Sequence, residues 1–158
     1  MIYQQITELI GNTPLLRIDP AIHGLKNIDL YAKLEYLNPF GSVKDRVAWG
    51  MLKDDIVSIK EKQQTILEMS SGNTAKALQG IASVYGIPFK TITNRIEVTE
   101  QKSILKILGA EIEELPGSSD CHDPYDPNDP LVFINKELKN NGDRFFFTSQ
   151  YSNPKNID

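Results

Sequence analysis

The chain has 158 residues, of which 40% are apolar and 24% are charged. These values exclude a disordered chain, a collagen-like repeat and a coiled coil, and the length suits one domain that buries its own core. The net charge of −4 is local, because four aspartates lie within residues 116–130 and the other 17 acids balance 17 lysines and arginines. This balance leaves no basic surface for nucleic acid.

The cysteine count and the apolar pattern bear on the compartment. A single cysteine, Cys121, excludes an internal disulfide and fits a reducing environment. No apolar run approaches the roughly 20 residues of a membrane helix, and the first residues lack the basic start of a signal peptide. We therefore expect a soluble cytoplasmic protein without a membrane partner.

Strand-like and helix-like stretches alternate from about residue 30. Strands are predicted over residues 30–36, 65–69, 89–93, 110–115 and 145–148. Helices are predicted over residues 43–55, 74–85, 99–108 and 131–139, with Ser42 as the N-cap of the first. This alternation predicts an α/β fold, in which βαβ units build a parallel sheet with helices on both faces. Residues 116–130 hold four of the nine prolines and predict an exposed acidic insertion.

The strongest local motif is residues 38–46 (NPFGSVKDR), which places Lys44 in the first turn of a helix that follows a strand. Such junctions at the carboxyl ends of parallel strands are where open α/β sheets bind ligands. A lysine there, partly shielded from water, can act as an amine nucleophile that forms a Schiff base. From the residues alone, an ordinary surface lysine is the competing interpretation.

A second motif, residues 70–74 (SSGNT), also lies between a strand and a helix. Short hydroxyl and amide residues around a glycine expose backbone N–H groups at the start of the helix, which favours binding of a carboxylate or a phosphate. The alternative is a plain N-cap loop. A nucleotide site is disfavoured, because the chain has neither a G-x-G-x-x-G motif nor a Walker pattern.

Other candidates carry less chemistry. Cys121 and His122 are adjacent and have no further ligands at a spacing typical of a metal site. The aspartates nearby recur every three residues, which is not the spacing of a calcium loop. His23 is isolated, and the three phenylalanines at 145–147 are interpreted as a core strand.

Taken together and in order, five stretches resemble the fold type II pyridoxal-phosphate enzymes, specifically the cysteine synthase and cystathionine beta-synthase group. The stretches are residues 11–15 (GNTPL), 38–46 (NPFGSVKDR), 70–74 (SSGNT), 108–111 (LGAE) and 149–154 (SQYSNP). The fold implied by this resemblance is the small N-terminal α/β domain of those enzymes.

The resemblance also implies roles for individual residues. Lys44 is similar to the lysine that binds pyridoxal phosphate covalently and later moves the substrate α-proton, and Asn73 to the residue that hydrogen-bonds the cofactor's 3-oxygen. The residues similar to the loop that grips the substrate α-carboxylate are Ser70, Ser71, Asn73 and Thr74, with Gln150 assisting. The implied reaction is β-replacement on an L-serine derivative, as when O-acetylserine and sulfide give cysteine.

The chain departs from the family pattern at Met69 and Ala75, in residues 93–99 and in the insertion at residues 116–130. Each departure bears on the substrate and the nucleophile rather than on the cofactor. Members of this family normally continue for more than a hundred further residues after the last of these stretches. That part supplies the glycine-rich loop for the cofactor phosphate.

We therefore expect an N-terminal portion of a longer enzyme, which the resemblance implies is a homodimer at full length. In this division, residues 1–36 pack partly on a C-terminal domain, residues 37–150 form the small domain, and residues 151–158 begin the crossover. Two alternatives stay open: a catalytically inert fragment or binding module of this family, and a serine or threonine deaminase that eliminates without replacement.

Overall fold

The computed structural model describes residues 2–94, 96, 98–117 and 122–156, and its strands form two sheets. The smaller sheet pairs β1 (Leu15–Ile18) with β2 (Leu30–Lys33) in antiparallel orientation. The larger sheet is parallel, with strand order β5-β4-β3-β6. Its strands are β3 (Thr65–Glu68), β4 (Phe89–Thr93), β5 (Glu111–Glu114) and β6 (Phe145–Phe147).

Six α-helices surround or precede this parallel sheet in the described part of the chain. They are α1 (Pro20–His23), α2 (Lys44–Leu52), α3 (Ile56–Glu61), α4 (Asn73–Tyr85), α5 (Thr99–Ile107) and α6 (Pro130–Asn141). Short 3-10 helices occur at Ile6–Leu9, Glu35–Leu37, Gly142–Arg144 and Pro154–Asn156. Among the described residues, no helix is both long enough and apolar enough to cross a lipid bilayer.

The parallel sheet carries helices on both faces, as the sequence predicts. Ile66 packs into a buried cluster with residues of α2, α3 and α4 on one face. Its neighbour Leu67 packs on the opposite face with Ile92 of β4 and Ile134 of α6. Successive side chains of a strand alternate between faces, so two adjacent apolar residues serve two separate layers. The predicted α/β fold is confirmed.

Two predicted elements differ from the structure. The alternating residues 30–36 form a strand only over Leu30–Lys33, and that strand belongs to the exposed antiparallel pair rather than to the parallel sheet. Strict alternation is typical of a strand with one buried face, but three of the four residues of β2 are exposed, on both faces of the strand. The helix predicted over residues 43–55 ends at Leu52, because the chain turns at Asp54 and Asp55, whose carboxylates lie 3.3 and 2.9 Å from Lys155 Nζ.

An ion pair joins the N-terminal segment to α2. Glu35 accepts hydrogen bonds from Arg46 Nε at 2.8 Å and Nη2 at 3.0 Å, from Thr13 Oγ1 at 2.7 Å, and from Asn38 Nδ2 at 2.8 Å. Arg46, then Thr13, lowers the pKa of Glu35 from 4.5 to about 2. This bidentate pair fixes the GNTPL and NPFGSVKDR motifs against each other.

Helix α4 and the loop before α2 are in close contact at Gly80. A Cβ atom on Gly80 would lie 2.5 Å from Cε1 of Phe40, a distance that no side chain tolerates. The missing side chain therefore lets the Phe40 ring lie on α4, and Phe40 precedes Lys44 by four residues.

We predict that Gly80→Ala lowers the free energy of unfolding by about 1–2 kcal/mol, because overpacking against Phe40 outweighs the better helix propensity of alanine. Urea unfolding measures the change. Gly142→Ala is the matched control, since a Cβ at Gly142 meets open space, and its effect stays within about 0.5 kcal/mol. Wild-type stability for Gly80→Ala would show that Phe40 is not held at this contact.

The low pKa of Glu35 predicts a pH dependence of stability. A carboxyl whose pKa is lower in the folded state stabilises the fold above its unfolded pKa, and this contribution is lost as the pH falls from about 4.5 towards 2. Glu35→Gln should therefore lose roughly 1–2 kcal/mol at neutral pH and show a shallower acid dependence than the wild type. Urea unfolding from pH 7 to pH 2 tests this, with the exposed Glu61→Gln as control. Equal slopes for Glu35→Gln and the wild type would contradict it.

Candidate functional site

A cleft of about 560 Å³ opens at the carboxyl ends of β3 and β4, beside the first turns of α2 and α4. All the site residues predicted from the sequence line it. They are Lys44, Ser70, Ser71, Asn73, Thr74 and Gln150. Three separate chain segments therefore meet at one edge of the parallel sheet, which is where α/β folds of this kind bind ligands.

Lys44 is the first residue of α2 and is half-buried. Its backbone N–H donates to Ser42 Oγ at 3.1 Å, so the Ser42 side chain satisfies an amide of the first turn, but the N-cap position of the helix is Val43 and not Ser42 as predicted. The next residue, Asp45, is completely buried and accepts the Phe40 N–H at 2.6 Å. Burial raises the pKa of Asp45, while the amides of Phe40 and Ser42 act in the opposite direction. The carboxyl of Asp45 thus fixes the loop that leads into Lys44.

The loop between β3 and α4, residues 69–72, is called the Ser70 loop below, and with the first turn of α4 it supplies hydroxyl and N–H donors to the cleft. Ser70 is anchored to the sheet, because Thr91 Oγ1 of β4 donates to its carbonyl oxygen. Ser70 Oγ accepts the Ala75 N–H at 3.2 Å. The N-cap of α4 is Gly72, which has no side chain to satisfy the first amides of the helix. Hydroxyls and backbone N–H groups therefore converge at the positive end of a 13-residue helix.

Gln150 reaches the cleft from the turn after β6. Its side-chain Nε2 donates to the backbone carbonyl oxygen of Met69 at 3.0 Å. Its backbone carbonyl oxygen accepts a hydrogen bond from Asn156 Nδ2 at 2.6 Å. Gln150 is 8% exposed. The structure thus places it directly against the Ser70 loop, with one N–H of its amide already bonded to the protein.

Glu68 does not line the cleft but hydrogen-bonds to Met69 and Gln150, which do, and no pattern in the sequence singled it out. It is the last residue of β3 and is completely buried. Burial raises the pKa of Glu68, and hydrogen bonds from Thr148, Gln150 and Met69 oppose that rise. The available signal was a charged residue in the otherwise apolar run before SSGNT, because a carboxylate is seldom buried without partners.

The insertion also contributes to the cleft, through His122 and Asp129. Asp129 Oδ2 lies 3.0 Å from His122 Nδ1, and Oδ1 caps α6 by accepting the N–H of Leu131 at 2.8 Å. Burial opposes ionisation of Asp129, but the Asp123 amide and His122 outweigh it and lower the pKa. The expectation of an exposed acidic loop is wrong for Asp129, which is 5% exposed, because the residue is a helix cap.

Two residues of the insertion that the sequence analysis considered, Asp120 and Cys121, lie outside the described residues. Within the described ranges, no group of three or more His, Cys, Asp or Glu side chains could hold a metal ion.

The donor set of the cleft defines the ligand chemistry that it fits. Lys44 offers an amine, and the Ser70 loop offers hydroxyl and N–H donors, while the Asp129 carboxylate already accepts bonds from the protein. An amine that can condense with a carbonyl, beside donors for an anion, suits an aldehyde cofactor and a substrate carboxylate. The residues present therefore fit pyridoxal phosphate bound to Lys44.

Comparison with known proteins identifies relatives among pyridoxal-phosphate dependent enzymes. Residues 6–158 match the family model described as "Pyridoxal-phosphate dependent enzyme". The chain is 35% identical to cystathionine beta-synthase of Apis mellifera, in an alignment that covers 98% of this chain and 30% of the relative. It is 29% identical to cysteine synthase of Aquifex aeolicus, over 97% of this chain and 46% of the relative.

A solved structure of cysteine synthase from Entamoeba histolytica superposes with a TM-score of 0.83 at 31% identity, and the match covers 98% of this chain and 45% of that one. The chain thus spans about half, or less, of the length of these relatives. Because the family model covers nearly the whole chain, the chain belongs to the pyridoxal-phosphate dependent enzyme family.

Proposed function

We propose that this chain is the lysine-bearing part of a pyridoxal-phosphate dependent enzyme that performs β-replacement on an L-serine derivative, in the manner of a cysteine synthase. The observation that carries the proposal is the convergence of Lys44, the Ser70 loop and Gln150 on one cleft. The names of the relatives, cysteine synthase and cystathionine beta-synthase, support replacement over the deaminase alternative.

Each side chain has a role in this proposal. When bound, the cofactor supplies the electron sink that makes the α-proton of an amino acid labile. Lys44 would hold the cofactor through Nζ and would afterwards carry the α-proton as acid and base. Asn73 would donate a hydrogen bond to the cofactor's 3-oxygen. The amides and hydroxyls at the start of α4 orient the substrate carboxylate.

The carboxylate site follows from the local electrostatics. Ser71, Asn73 and Thr74 lie at the N-terminus of α4, where the N–H groups of the first turn and the helix dipole attract an anion. Ser70 is hydrogen-bonded to Thr91 of β4, and on the other side of the loop Gln150 is hydrogen-bonded to the carbonyl oxygen of Met69. We propose that the substrate carboxylate lies between these two segments.

The domain division is part of the proposal. Residues 1–36 expose apolar side chains, among them Leu15 at 60%, Leu16 at 49% and Ile22 at 80% exposure. Such a surface supports packing on a further domain in a longer protein. Residues 37–150 form the small domain, and residues 151–158 lead towards the crossover. We expect a small amino-acid substrate and a homodimer for the full-length protein.

We predict that pyridoxal phosphate added to the chain produces a saturable visible absorption band at one equivalent, and that Lys44→Ala abolishes it. The matched control is Lys53→Ala, because Lys53 caps the other end of α2 and is exposed. The same band in Lys44→Ala would refute the assignment of the lysine.

Product analysis separates the alternatives. Cysteine formed from O-acetylserine and sulfide supports β-replacement, whereas pyruvate or 2-oxobutyrate as the main product favours a deaminase. Cofactor binding without turnover by the full-length protein supports the inert-module alternative.

A further inference from the structure

The role of Glu68 is not explained by the proposed chemistry. Its carboxyl lies at the carboxyl end of β3, directly before the Ser70 loop, and its exposed fraction is zero. A buried carboxylate is costly unless hydrogen bonds compensate for the lost water. Its partners therefore indicate why an acid occupies this position.

The partners of Glu68 come from two parts of the chain that are far from each other in sequence. Oε1 accepts the N–H of Met69 at 2.8 Å, which belongs to the loop after β3. Oε2 accepts the N–H of Gln150 at 3.0 Å and lies 2.6 Å from Oγ1 of Thr148, in the turn after β6. Both oxygens of one carboxylate are therefore occupied, and they tie together two segments 82 residues apart in sequence.

This connection lies just beyond the point where the sheet itself stops holding the two segments. β3 and β6 pair up to Leu67 and Phe147, and the Thr148 N–H then donates to the Leu67 carbonyl at 3.1 Å. Past this bond the chain continues from β3 into the Ser70 loop and from β6 into the turn that carries Gln150. Glu68 bridges them there, together with the bond from Gln150 Nε2 to Met69.

We propose that Glu68 is a positioning residue, which holds Gln150 against the Ser70 loop and so sets the geometry of the carboxylate site. The identity of the ligand in this inference rests on the proposed function, whereas the connection between Glu68 and Gln150 does not. Glu68 touches neither substrate nor cofactor in this account and acts through Gln150.

The variant Glu68→Gln separates positioning from packing. Glutamine has nearly the same shape, but one carboxylate oxygen becomes an NH₂ group that cannot accept a hydrogen bond. That group would face the N–H of Met69 or of Gln150, donor against donor. A residue needed only to fill space would tolerate the change, whereas a residue needed as a double acceptor would not.

A second pair of variants changes the same connection from its other side. Thr148→Val removes the hydroxyl beside Glu68 Oε2 with little change of shape, and Thr148→Ser retains a hydroxyl. If Glu68→Gln fails to fold, the comparison of Thr148→Val with Thr148→Ser still tests the inference, because both leave the carboxylate in place.

The experiment is amide NMR on the 158-residue chain, with two readouts. Hydrogen exchange of the Gln150 amide reports the connection, and a titration with L-serine, followed at the amides of residues 71–74, reports the site. We expect Glu68→Gln and Thr148→Val to speed exchange at Gln150 and to weaken L-serine binding, each about tenfold, as for the loss of one hydrogen bond to a charged group. Thr148→Ser should remain near the wild type.

The possible failures are distinguishable. Wild-type exchange at Gln150 in Glu68→Gln or Thr148→Val would overturn the inference. Faster exchange with unchanged L-serine affinity would show that Glu68 stabilises the turn without positioning the site, and would overturn it as well. If the wild-type chain binds no L-serine, the proposed substrate class fails, and exchange at Gln150 together with the amide shifts of residues 71–74 in Glu68→Gln still decides whether Glu68 positions the loop.

Discussion

The buried carboxylate of Glu68 connects the Ser70 loop to the turn that carries Gln150, and in our proposal the carboxylate side of the candidate site depends on this connection. The parallel sheet brings β3 and β6 side by side, but its backbone ladder ends at Leu67 and Thr148. Beyond that point, hydrogen bonds to one acidic side chain hold Met69, Thr148 and Gln150 together. Because an unsatisfied buried charge would be costly, any movement of Gln150 away from the Ser70 loop is penalised.

The lysine side of the cleft is fixed by different means. Asp45 is buried and accepts the Phe40 amide, while the Phe40 ring lies on α4 where Gly80 leaves room for it. Arg46, two residues after Lys44, binds Glu35 through two nitrogens. The helix that begins with Lys44 is thus tied to both the N-terminal segment and α4. These contacts hold the amine in the same cleft as the Ser70 loop, which the proposed chemistry requires.

Much of this arrangement is predictable from the sequence. The strand over 89–93 follows from a short run of apolar and β-branched residues, and the helix predicted over 74–85 ends at Tyr85 as expected. The position of the Ser70 loop follows from the rule that ligand-binding loops lie at the carboxyl ends of parallel strands. That rule does not account for Lys44, because the strand before it, β2, lies outside the parallel sheet. Local patterns were less informative where tertiary context decides, as for β2, whose alternating residues belong to a separate antiparallel pair.

The residues that escaped prediction are polar groups whose partners are distant in sequence. Glu68 binds residues 80 and 82 positions away, and no local pattern encodes such pairs. Asp129 reads as one of several acids in a proline-rich stretch, yet it is buried as the cap of α6 and as the partner of His122. Periodicity reports which face of an element is apolar, but it does not report which charged residue will be enclosed.

The central claim is that one cleft holds the cofactor on Lys44 and the substrate carboxylate on the Ser70 loop. A crystal structure of the protein grown with pyridoxal phosphate and reduced with borohydride tests it most directly. The account predicts electron density continuous with Lys44 Nζ, inside the cleft and within hydrogen-bond distance of Asn73. Density joined to a different lysine, or a cofactor bound outside this cleft, would contradict it.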